Sequence, residues 1–411
     1  MGAKCSKKIL LIASSSDGHR KNYLAVLGLW FVKQGYALIT CSGPCENGMR
    51  ASDCEVLQVS GTNPSSTTLD LNSEILGSPI ILRNELNRLV HIHNPTWTIL
   101  VDGEGCAKAL GNYWGDKCDR NKRAAIFIYF RHEYRPDFRQ SSILTRPRLW
   151  ARHFRDRHRR RLYFHRDVWS QLGLDTLLVT DENACRSLDH SKIVHLPEIY
   201  RSPRVSSCDA DSNLEAWRKS YANFLKQREG REVVLYFGTR FARRGYDTLI
   251  ELCAQVADTV FVSVGRNQSN ENFSDSMLKA KSILQSQNRL FELNIPYLPD
   301  NALVDDLFTS ANFVTLPYRN WYGMSGSLFQ ACSYGCPVLV PDIGHMSACV
   351  KQNGIGLTYQ HLNCTHLLSQ FSKLRLCARE YKQNTVVFSQ QFSDQSINNA
   401  LKRAFCGSGV K

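Results

Sequence analysis

Short apolar runs alternate with helix-length amphipathic runs along the whole chain. In the first half, the apolar runs predict strands at residues 9–14, 37–41, 56–59, 98–101, 125–129 and 176–179. A second series predicts strands at residues 233–237, 259–264, 291–293, 313–316 and 338–340. Strands that are apolar throughout and are separated by helices are typical of parallel sheets covered on both faces. The pattern therefore predicts an α/β fold with two Rossmann-like, doubly wound parallel sheets.

A polar segment separates the two series and indicates a domain boundary. Residues 201–232 include Pro203 and one helical stretch near residues 214–227, so we interpret them as an interdomain connection. The length of 411 residues also exceeds what one hydrophobic core usually supports. We therefore place an N-terminal domain at residues 1–200 and a second domain at residues 233–385.

The C-terminal residues 386–411 predict a further helix with a loose apolar stripe. The stripe consists of Phe388, Phe392, Ile397 and Leu401. Two interpretations stay open: this helix is the last one of the second domain, or it crosses back to the N-terminal domain.

The composition predicts the cellular compartment of the protein and the redox state of its cysteines. No apolar stretch approaches the roughly 20 residues that cross a bilayer, and the apolar run near the N-terminus is too short for a signal-peptide core. The fifteen cysteines include no Cys-x-x-Cys pair and lie mostly in apolar segments, as Cys41, Cys253, Cys332 and Cys336 do. We expect reduced, mostly buried thiols in a cytoplasmic protein.

The formal net charge of +14 is concentrated in one stretch. Between Arg131 and Asp167, twelve arginines face four acidic residues, with aromatic residues such as Trp150 and Phe154 interleaved. The part from Arg131 to Arg166 could contact an anionic membrane surface, hold a phosphorylated acceptor, or form a solvated helix face. We expect no nucleic-acid partner, because no recognised binding motif accompanies the charge.

The run from Pro317 to Asp342 carries the most informative chemistry. It predicts a strand end, a loop of small residues, a short helix and another buried strand. Ser325, Gly326 and Ser327 open that helix, where free backbone N–H groups suit a phosphate, and Gln330 projects from the same helical face as Gly326. Small residues in such a loop also occur where an α/β layer simply packs tightly.

Three arginines follow the first strand of the second series. Arg240, Arg243 and Arg244 lie in a span of five residues, and a buried guanidinium is unfavourable unless it meets an anion. We predict a diphosphate as the partner of Arg240 and Arg244, and we expect Arg243 to point outward.

Further loops follow other predicted strands. Gly18 precedes the first helix and permits close backbone approach, and Gly265 ends a strand where a turn could seat a nucleobase. His132 and Glu133 follow the fifth strand, where they could serve as polar contacts or as proton-transfer groups. A solvated loop histidine is the alternative.

Together these motifs resemble the GT-B-fold retaining nucleotide-sugar glycosyltransferases, the large family that includes sucrose synthase and many bacterial mannosyl- and glucosyltransferases. The resemblance is clearest from Val233 to Tyr359. It rests on the segment from Gly238 to Gly245, on Gly335-x-Pro337, on Asp342 and on the Gly354-x-Gly356 turn. It implies two Rossmann-like domains that face each other across a cleft.

The resemblance also implies roles for the candidate residues. Arg240, Arg244 and the helix start at Ser325–Gly326–Ser327 would hold the donor diphosphate, and Gly18 falls on a glycine loop that faces the donor phosphate. His132 falls on the active-site histidine of the family, with Glu133 where an aspartate is common. The two glutamates of the family, eight positions apart, fall on Tyr322 and Gln330, so this Glu-x7-Glu motif is degenerate.

The expected function is transfer of a sugar from a UDP- or GDP-sugar to a glycan, a lipid-linked acceptor or another acceptor, with retention of configuration. Because arginines and a helix start would offset the charge of the leaving group, we predict no metal ion. No cofactor is expected either, since the nucleotide sugar is a substrate. Two alternatives stay open: an inactive GT-B-like scaffold, which the missing glutamates suggest, and a nucleotide-sugar epimerase.

Overall fold

The computed structural model describes residues 7–13, 19–43, 67–70, 79–103, 121–127, 147, 150–151, 154–155, 173–188, 191–201, 213–267, 273–295 and 302–406. These residues divide into two compact units. Unit 1 holds the described parts of Met1–Glu133, Ala151–Val205 and Ser393–Lys411, and unit 2 holds those of Tyr134–Trp150 and Ser206–Phe392. Each unit is built around a parallel sheet.

Unit 1 contains a sheet of seven described strands in the order β3-β2-β1-β4-β5-β6-β7. The strands are β1 Lys8–Ala13, β2 Ala37–Ser42, β3 Thr67–Asp70, β4 Trp97–Leu100, β5 Lys122–Phe127, β6 Thr176–Val179 and β7 Ile193–His195. The helices of this part are α1 His19–Lys33, α2 Pro79–His93 and α3 Glu182–Leu188. The strand predicted at residues 56–59 lies outside the described residues, and β3 and β7 were not predicted.

Alternate residues of β1 explain why the apolar runs form a doubly covered sheet. Ile9 and Leu11 pack into one hydrophobic cluster, whereas Leu10 and Ile12 pack into the cluster on the other face. Because this strand is buried on both faces, its sequence is apolar at every buried position, from Ile9 to Ala13.

Unit 2 contains a sheet of six described strands in the order β10-β9-β8-β11-β12-β13, with all described pairings parallel. The strands are β8 Glu232–Phe237, β9 Thr259–Val264, β10 Leu290–Leu293, β11 Phe313–Thr315, β12 Val338–Pro341 and β13 Gly356–Tyr359. The helices are α4 Leu214–Lys226, α5 Tyr246–Gln255, α6 Asp275–Ser286, α7 Ala302–Ser310, α8 Gly326–Ser333, α9 Gly344–Asn353 and α10 Cys364–Ser389. The predicted α/β fold with two doubly wound parallel sheets is confirmed.

The C-terminal helix belongs to unit 1. The helix α11, Asp394–Phe405, places Ile397, Ala400, Leu401 and Ala404 in the core of that unit. Trp30 Nε1 donates a hydrogen bond of 2.8 Å to Asn398 Oδ1. The C-terminal helix starts later than the sequence predicts, since a 3-10 turn at Gln390–Phe392 and the N-cap Ser393 separate α11 from α10.

None of the described helices combines the length and the apolar character that crossing a bilayer requires.

Candidate functional site

The strand order of unit 2 fixes where a ligand site is expected. Strand β8 lies between β9 and β11. From β8 the chain adds β9 and then β10 on one side of the sheet; it then returns to the other side of β8 and adds β11, β12 and β13. In open parallel sheets, ligands bind at the carboxyl ends of the strands where the winding direction changes. The loops that follow β8 and β11 are therefore the candidate site.

Two glycines let the backbone turns after β8 and β9 pack together. Gly238 and Gly265 have φ angles of +130° and +147°, a region that disfavours other residues. A Cβ at Gly265 would collide with the carbonyl group of Gly238, and a Cβ at Gly238 would collide with the guanidinium group of Arg244. The absent side chain at Gly238 is what allows Arg244 to lie across the end of β8.

Arg244 supplies a cation at this position. It ends the 3-10 turn Ala242–Arg244, and its guanidinium carbon lies 5.6 Å from the ring centre of Tyr318 and 5.8 Å from that of Phe241. Among the described residues, no acceptor lies within hydrogen-bonding distance of its guanidinium nitrogens. Its N–H donors are thus available to an anionic ligand.

Arg243 behaves differently from Arg244, as expected. It is exposed, and its guanidinium carbon lies 5.4 Å from the ring centre of Trp321.

The start of α8 lies beside this cation. Ser325 is the N-cap, and its hydroxyl lies 3.1 Å from that of Tyr318, the residue whose ring contacts Arg244. Ser327 Oγ donates a hydrogen bond of 3.3 Å to the carbonyl oxygen of Phe237, the last residue of β8. These contacts bring the first N–H groups of α8, at Gly326 and Ser327, to the end of β8.

Gln330 lies one turn into α8 and is 8% exposed. No hydrogen-bond partner for its side-chain amide occurs among the residues that the structure describes. Its amide atoms are not among the buried polar atoms that lack a partner, so they are accessible and offer both a donor and an acceptor to a ligand. Tyr322 supplies no carboxylate; its backbone packs against Gly344, and its carbonyl oxygen accepts a hydrogen bond from His345 N.

Arg240 has a different environment from the one that the sequence predicts. It is 3% exposed, and its guanidinium donates to Ser263 Oγ at 2.7 Å, to Ser263 O at 2.9 Å, to Leu293 O at 2.8 Å and to Asn267 Oδ1 at 2.6 Å. Four of its five N–H donors are therefore used within the protein. Arg240 joins β8, β9 and β10 as a structural residue rather than as the predicted diphosphate ligand.

Burial also shapes the ionisation of groups near the site. Desolvation raises the pKa of Tyr236 well above its ordinary value, Tyr318 raises it further, and the positive charges of Arg244 and Arg240 oppose the shift. The protonated hydroxyl of Tyr236 donates a hydrogen bond of 2.6 Å to the carbonyl oxygen of Thr239, which holds the loop after β8.

Several predicted site residues lie outside the described residues. These are Gly18, His132 and Glu133, together with most of the segment from Arg131 to Arg166. Of the cysteines, Cys41, Cys253, Cys332 and Cys336 are buried and form no disulfide, and burial raises the pKa of Cys253 and Cys336 to about 12. Among the described residues, no three His, Cys, Asp or Glu side chains come together as a metal site would require.

Sequence reasoning overlooked Tyr318. It links Arg244 to Ser325, and the only signal for it is its position directly after Pro317 in the loop after β11. The pairing depends on two loops that are 70 residues apart, which local patterns do not reveal.

The described candidate residues lie within the part of the chain that matches a family model. Residues 231–374 match the family model described as glycosyl transferases group 1. The matched range includes β8 to β13 and all the described candidate residues. No curated protein matches this sequence.

Solved structures resemble the chain over nearly its full length. WaaG, a glycosyltransferase involved in lipopolysaccharide biosynthesis, has a TM-score of 0.60 and 12% identity over 98% of this chain and 100% of its own. Anabaena Alr3699/HepE, solved with UDP and glucose, has a TM-score of 0.59 and 12% identity over 97% and 99%. A protein assigned as a UDP-N-acetylglucosamine 2-epimerase from Listeria monocytogenes has a TM-score of 0.57 and 14% identity over 97% and 97%. The chain therefore has the GT-B fold, and its second unit carries a segment typical of group 1 glycosyltransferases.

Proposed function

We propose that this chain transfers a sugar from a nucleoside-diphosphate sugar to an acceptor. The observation that carries the proposal is the cation of Arg244, which has no protein acceptor among the described residues and lies beside the start of α8 at the switch point of the sheet. The family match over residues 231–374 supports the same activity.

The chemistry requires that the negative charge on a departing nucleoside diphosphate be stabilised. Arg244 would offset this charge on one side, and the N–H groups of Gly326 and Ser327 would donate to phosphate oxygens on the other. Gln330 would hydrogen-bond the ribose hydroxyls, and the turn at Gly265 would seat the base.

The acceptor side rests on residues outside those described. By the family resemblance, Gly18 would face the donor phosphate, and His132 and Glu133 would be the catalytic polar groups, with retention of configuration. A glycan or a lipid-linked molecule would be the acceptor, which would fit a role in polysaccharide or glycoconjugate biosynthesis.

We also propose that the basic segment from Arg131 to Arg166 contacts an anionic membrane surface. Trp150 and Phe154 are both helical and exposed, and the segment combines such large apolar side chains with many arginines, a composition that suits an anionic membrane surface. Co-sedimentation with vesicles containing phosphatidylserine tests this contact, and equal binding to neutral vesicles would contradict it.

The leaving-group contacts imply transfer without a metal ion. The sequence contains one Asp-x-Asp triplet, Asp209-Ala210-Asp211, in the connection that precedes α4, and this triplet lies outside the described residues. Activity that survives chelation by EDTA would support metal-independent transfer, whereas recovery only after adding Mg²⁺ or Mn²⁺ would contradict it.

Incubation with a panel of labelled UDP- and GDP-sugars tests the function. We expect release of the nucleoside diphosphate that increases when acceptor glycans or lipid-linked acceptors are added. An epimerase is the second candidate, because one similar solved structure, from Listeria monocytogenes, is assigned as a UDP-N-acetylglucosamine 2-epimerase. An epimerase would convert the donor without any acceptor. An inactive scaffold would show no turnover and no calorimetric heat with any nucleotide.

A further inference from the structure

A cavity in unit 2 is lined by residues other than the candidate donor residues. It has a volume of about 190 Å³ and lies between the start of α5, the loop after β11 and the start of α10. Among the described residues, its lining includes Thr248, Arg319, Tyr359, Asn363 and Cys364, and it includes none of the residues that the proposed function uses.

Tyr359 is a buried polar residue that lines this cavity without a hydrogen-bond partner. It ends β13 and is 4% exposed, and no described residue lies within hydrogen-bonding distance of its hydroxyl. Burial raises the pKa of its phenol well above the ordinary value, the Cys364 thiol raises it further, and Arg319 opposes the shift. The hydroxyl is therefore a protonated donor.

Arg319 lines the same cavity, and only one nitrogen of its guanidinium group is hydrogen-bonded within the described part of the protein. Its Nη2 donates to Asp247 Oδ2 at 2.7 Å and to Thr248 Oγ1 at 2.9 Å, which fixes the orientation of the side chain. Within the described part of the chain, Nε and Nη1 make no hydrogen bond. Three N–H donors of a preorientated cation thus stay available.

The start of α10 supplies further donors. Asn363 caps the helix by accepting from His366 N at 2.9 Å, and its carbonyl oxygen accepts from Leu367 N at 2.9 Å. For the two preceding N–H groups, those of Cys364 and Thr365, the described residues supply no acceptor. They open a helix of 26 residues, an end that favours a negative charge.

Two side-chain acceptors of the lining are already engaged: Thr248 Oγ1 accepts from Arg319, and His361 Nε2 accepts from Asn320 N at 3.1 Å. Asp247, which pairs with Arg319 through Oδ2, is not part of the lining, and its buried Oδ1 has no hydrogen-bond partner among the described residues. Arg319, Tyr359 and the start of α10 therefore supply mostly donors to the cavity.

We infer that this cavity binds a small oxyanion of the phosphate class, held by Arg319, by the Tyr359 hydroxyl and by the first N–H groups of α10. The volume equals that of about six water molecules in the liquid, which admits inorganic phosphate or a small phosphomonoester. This site does not depend on the proposed function, since its residues are different.

The test uses the full chain with the Arg244→Ala substitution, which we expect to weaken phosphate binding at the proposed donor site. Orthophosphate and glycerol 3-phosphate are titrated separately, and binding is followed by calorimetry and by the shift of the melting temperature. We expect saturable binding that weakens about tenfold or more with Tyr359→Phe and with Arg319→Gln, because each removes a hydrogen bond to a charged ligand. Tighter binding of glycerol 3-phosphate would identify a metabolite as the source, and tighter binding of orthophosphate would identify inorganic phosphate.

A matched control separates loss of the site from loss of stability. Arg218 pairs with Asp306 at 2.6 Å and its side chain is 38% exposed, close to the 34% of Arg319, so Arg218→Gln should leave phosphate binding unchanged. Tyr359→Phe removes a single oxygen and keeps the test valid if Arg319→Gln does not fold. The inference is overturned if neither anion binds saturably, or if Tyr359→Phe binds both as tightly as its parent.

Discussion

Replacing Arg244 by alanine is the sharpest test of the candidate donor site. The guanidinium lies across Gly238, and its carbon is 5.6 Å from the ring centre of Tyr318. Because the described residues offer it no acceptor, its removal leaves no buried partner unsatisfied. The substitution should therefore affect ligand binding far more than folding.

The magnitude follows from the contacts that Arg244 would make. A hydrogen bond to a charged group contributes about 1.5–3 kcal/mol, and a guanidinium can donate two such bonds to a diphosphate. Partial exposure of the site reduces the second contribution, so we expect a loss of about 2–4 kcal/mol in binding free energy. This corresponds to about 30- to 900-fold weaker binding of UDP or GDP.

Isothermal titration of the wild-type chain and the variants with UDP and GDP measures this loss. Arg243→Ala is the matched control, since it removes an exposed arginine from the same turn and should weaken binding by at most about fivefold. Arg244→Lys should give an intermediate affinity, because lysine keeps the charge but loses the planar pair of donors.

Two results would refute the reasoning. Arg244→Ala that binds the nucleotide within threefold of wild type, with an unchanged melting temperature, would show that Arg244 does not contact the diphosphate. Equal losses for Arg243→Ala and Arg244→Ala would show that only the general positive potential of the turn matters.

Three further substitutions test the surrounding structure. Gly238→Ala should weaken nucleotide binding and lower the free energy of unfolding, because its Cβ would displace Arg244. The control Gly230→Ala, also at positive φ but with open space around it, should lower the free energy of unfolding by only about 1 kcal/mol. Calorimetry compares nucleotide binding of the two variants, and urea unfolding compares their stability. Arg240→Ala should lower the free energy of unfolding by about 3–5 kcal/mol, because it leaves buried carbonyl groups unpaired. The affinity of the folded variant for nucleotide should change less than fivefold. A large loss of affinity without loss of stability would show that Arg240 contacts the ligand. Leu401→Ala in α11 should cost about 2–5 kcal/mol in urea unfolding, and an unchanged midpoint would contradict the packing of α11 in unit 1.

The sequence predicted the strands of unit 2 well, because strands buried on both faces have uninterrupted apolar runs. Strand β13 was not predicted, because two of its four residues, Gly356–Tyr359, are only half-buried and the segment lacks an uninterrupted apolar run. The break before α11 was also missed, because the apolar stripe continues through the 3-10 turn while the chain changes from one unit to the other. Only the cap at Ser393 marks it, and a serine is common in helices as well.

Arg240 and Arg244 show why side-chain roles were harder to predict than strands. Both follow the same buried strand, so the local sequence predicts a phosphate contact equally well for either arginine. Their difference comes from residues that lie far along the chain: Ser263 and Leu293 accept hydrogen bonds from Arg240, whereas Tyr318 stacks beside Arg244 without accepting one. Such partners are brought together only by the order of the strands.

The positions of Tyr322 and Gln330 bear on whether the site needs carboxylates. A carboxylate in place of the Gln330 amide would add a negative charge to a site that is proposed to stabilise a leaving diphosphate. The neutral amide leaves the cation and the start of α8 available to the phosphates, while its donor and acceptor can still bind ribose hydroxyls. The backbone of Tyr322 packs against Gly344, and its carbonyl oxygen accepts a hydrogen bond from His345 N. Under the proposed function, the degenerate motif would still allow donor binding, and Arg244 together with the start of α8 would stabilise the charge of the leaving group.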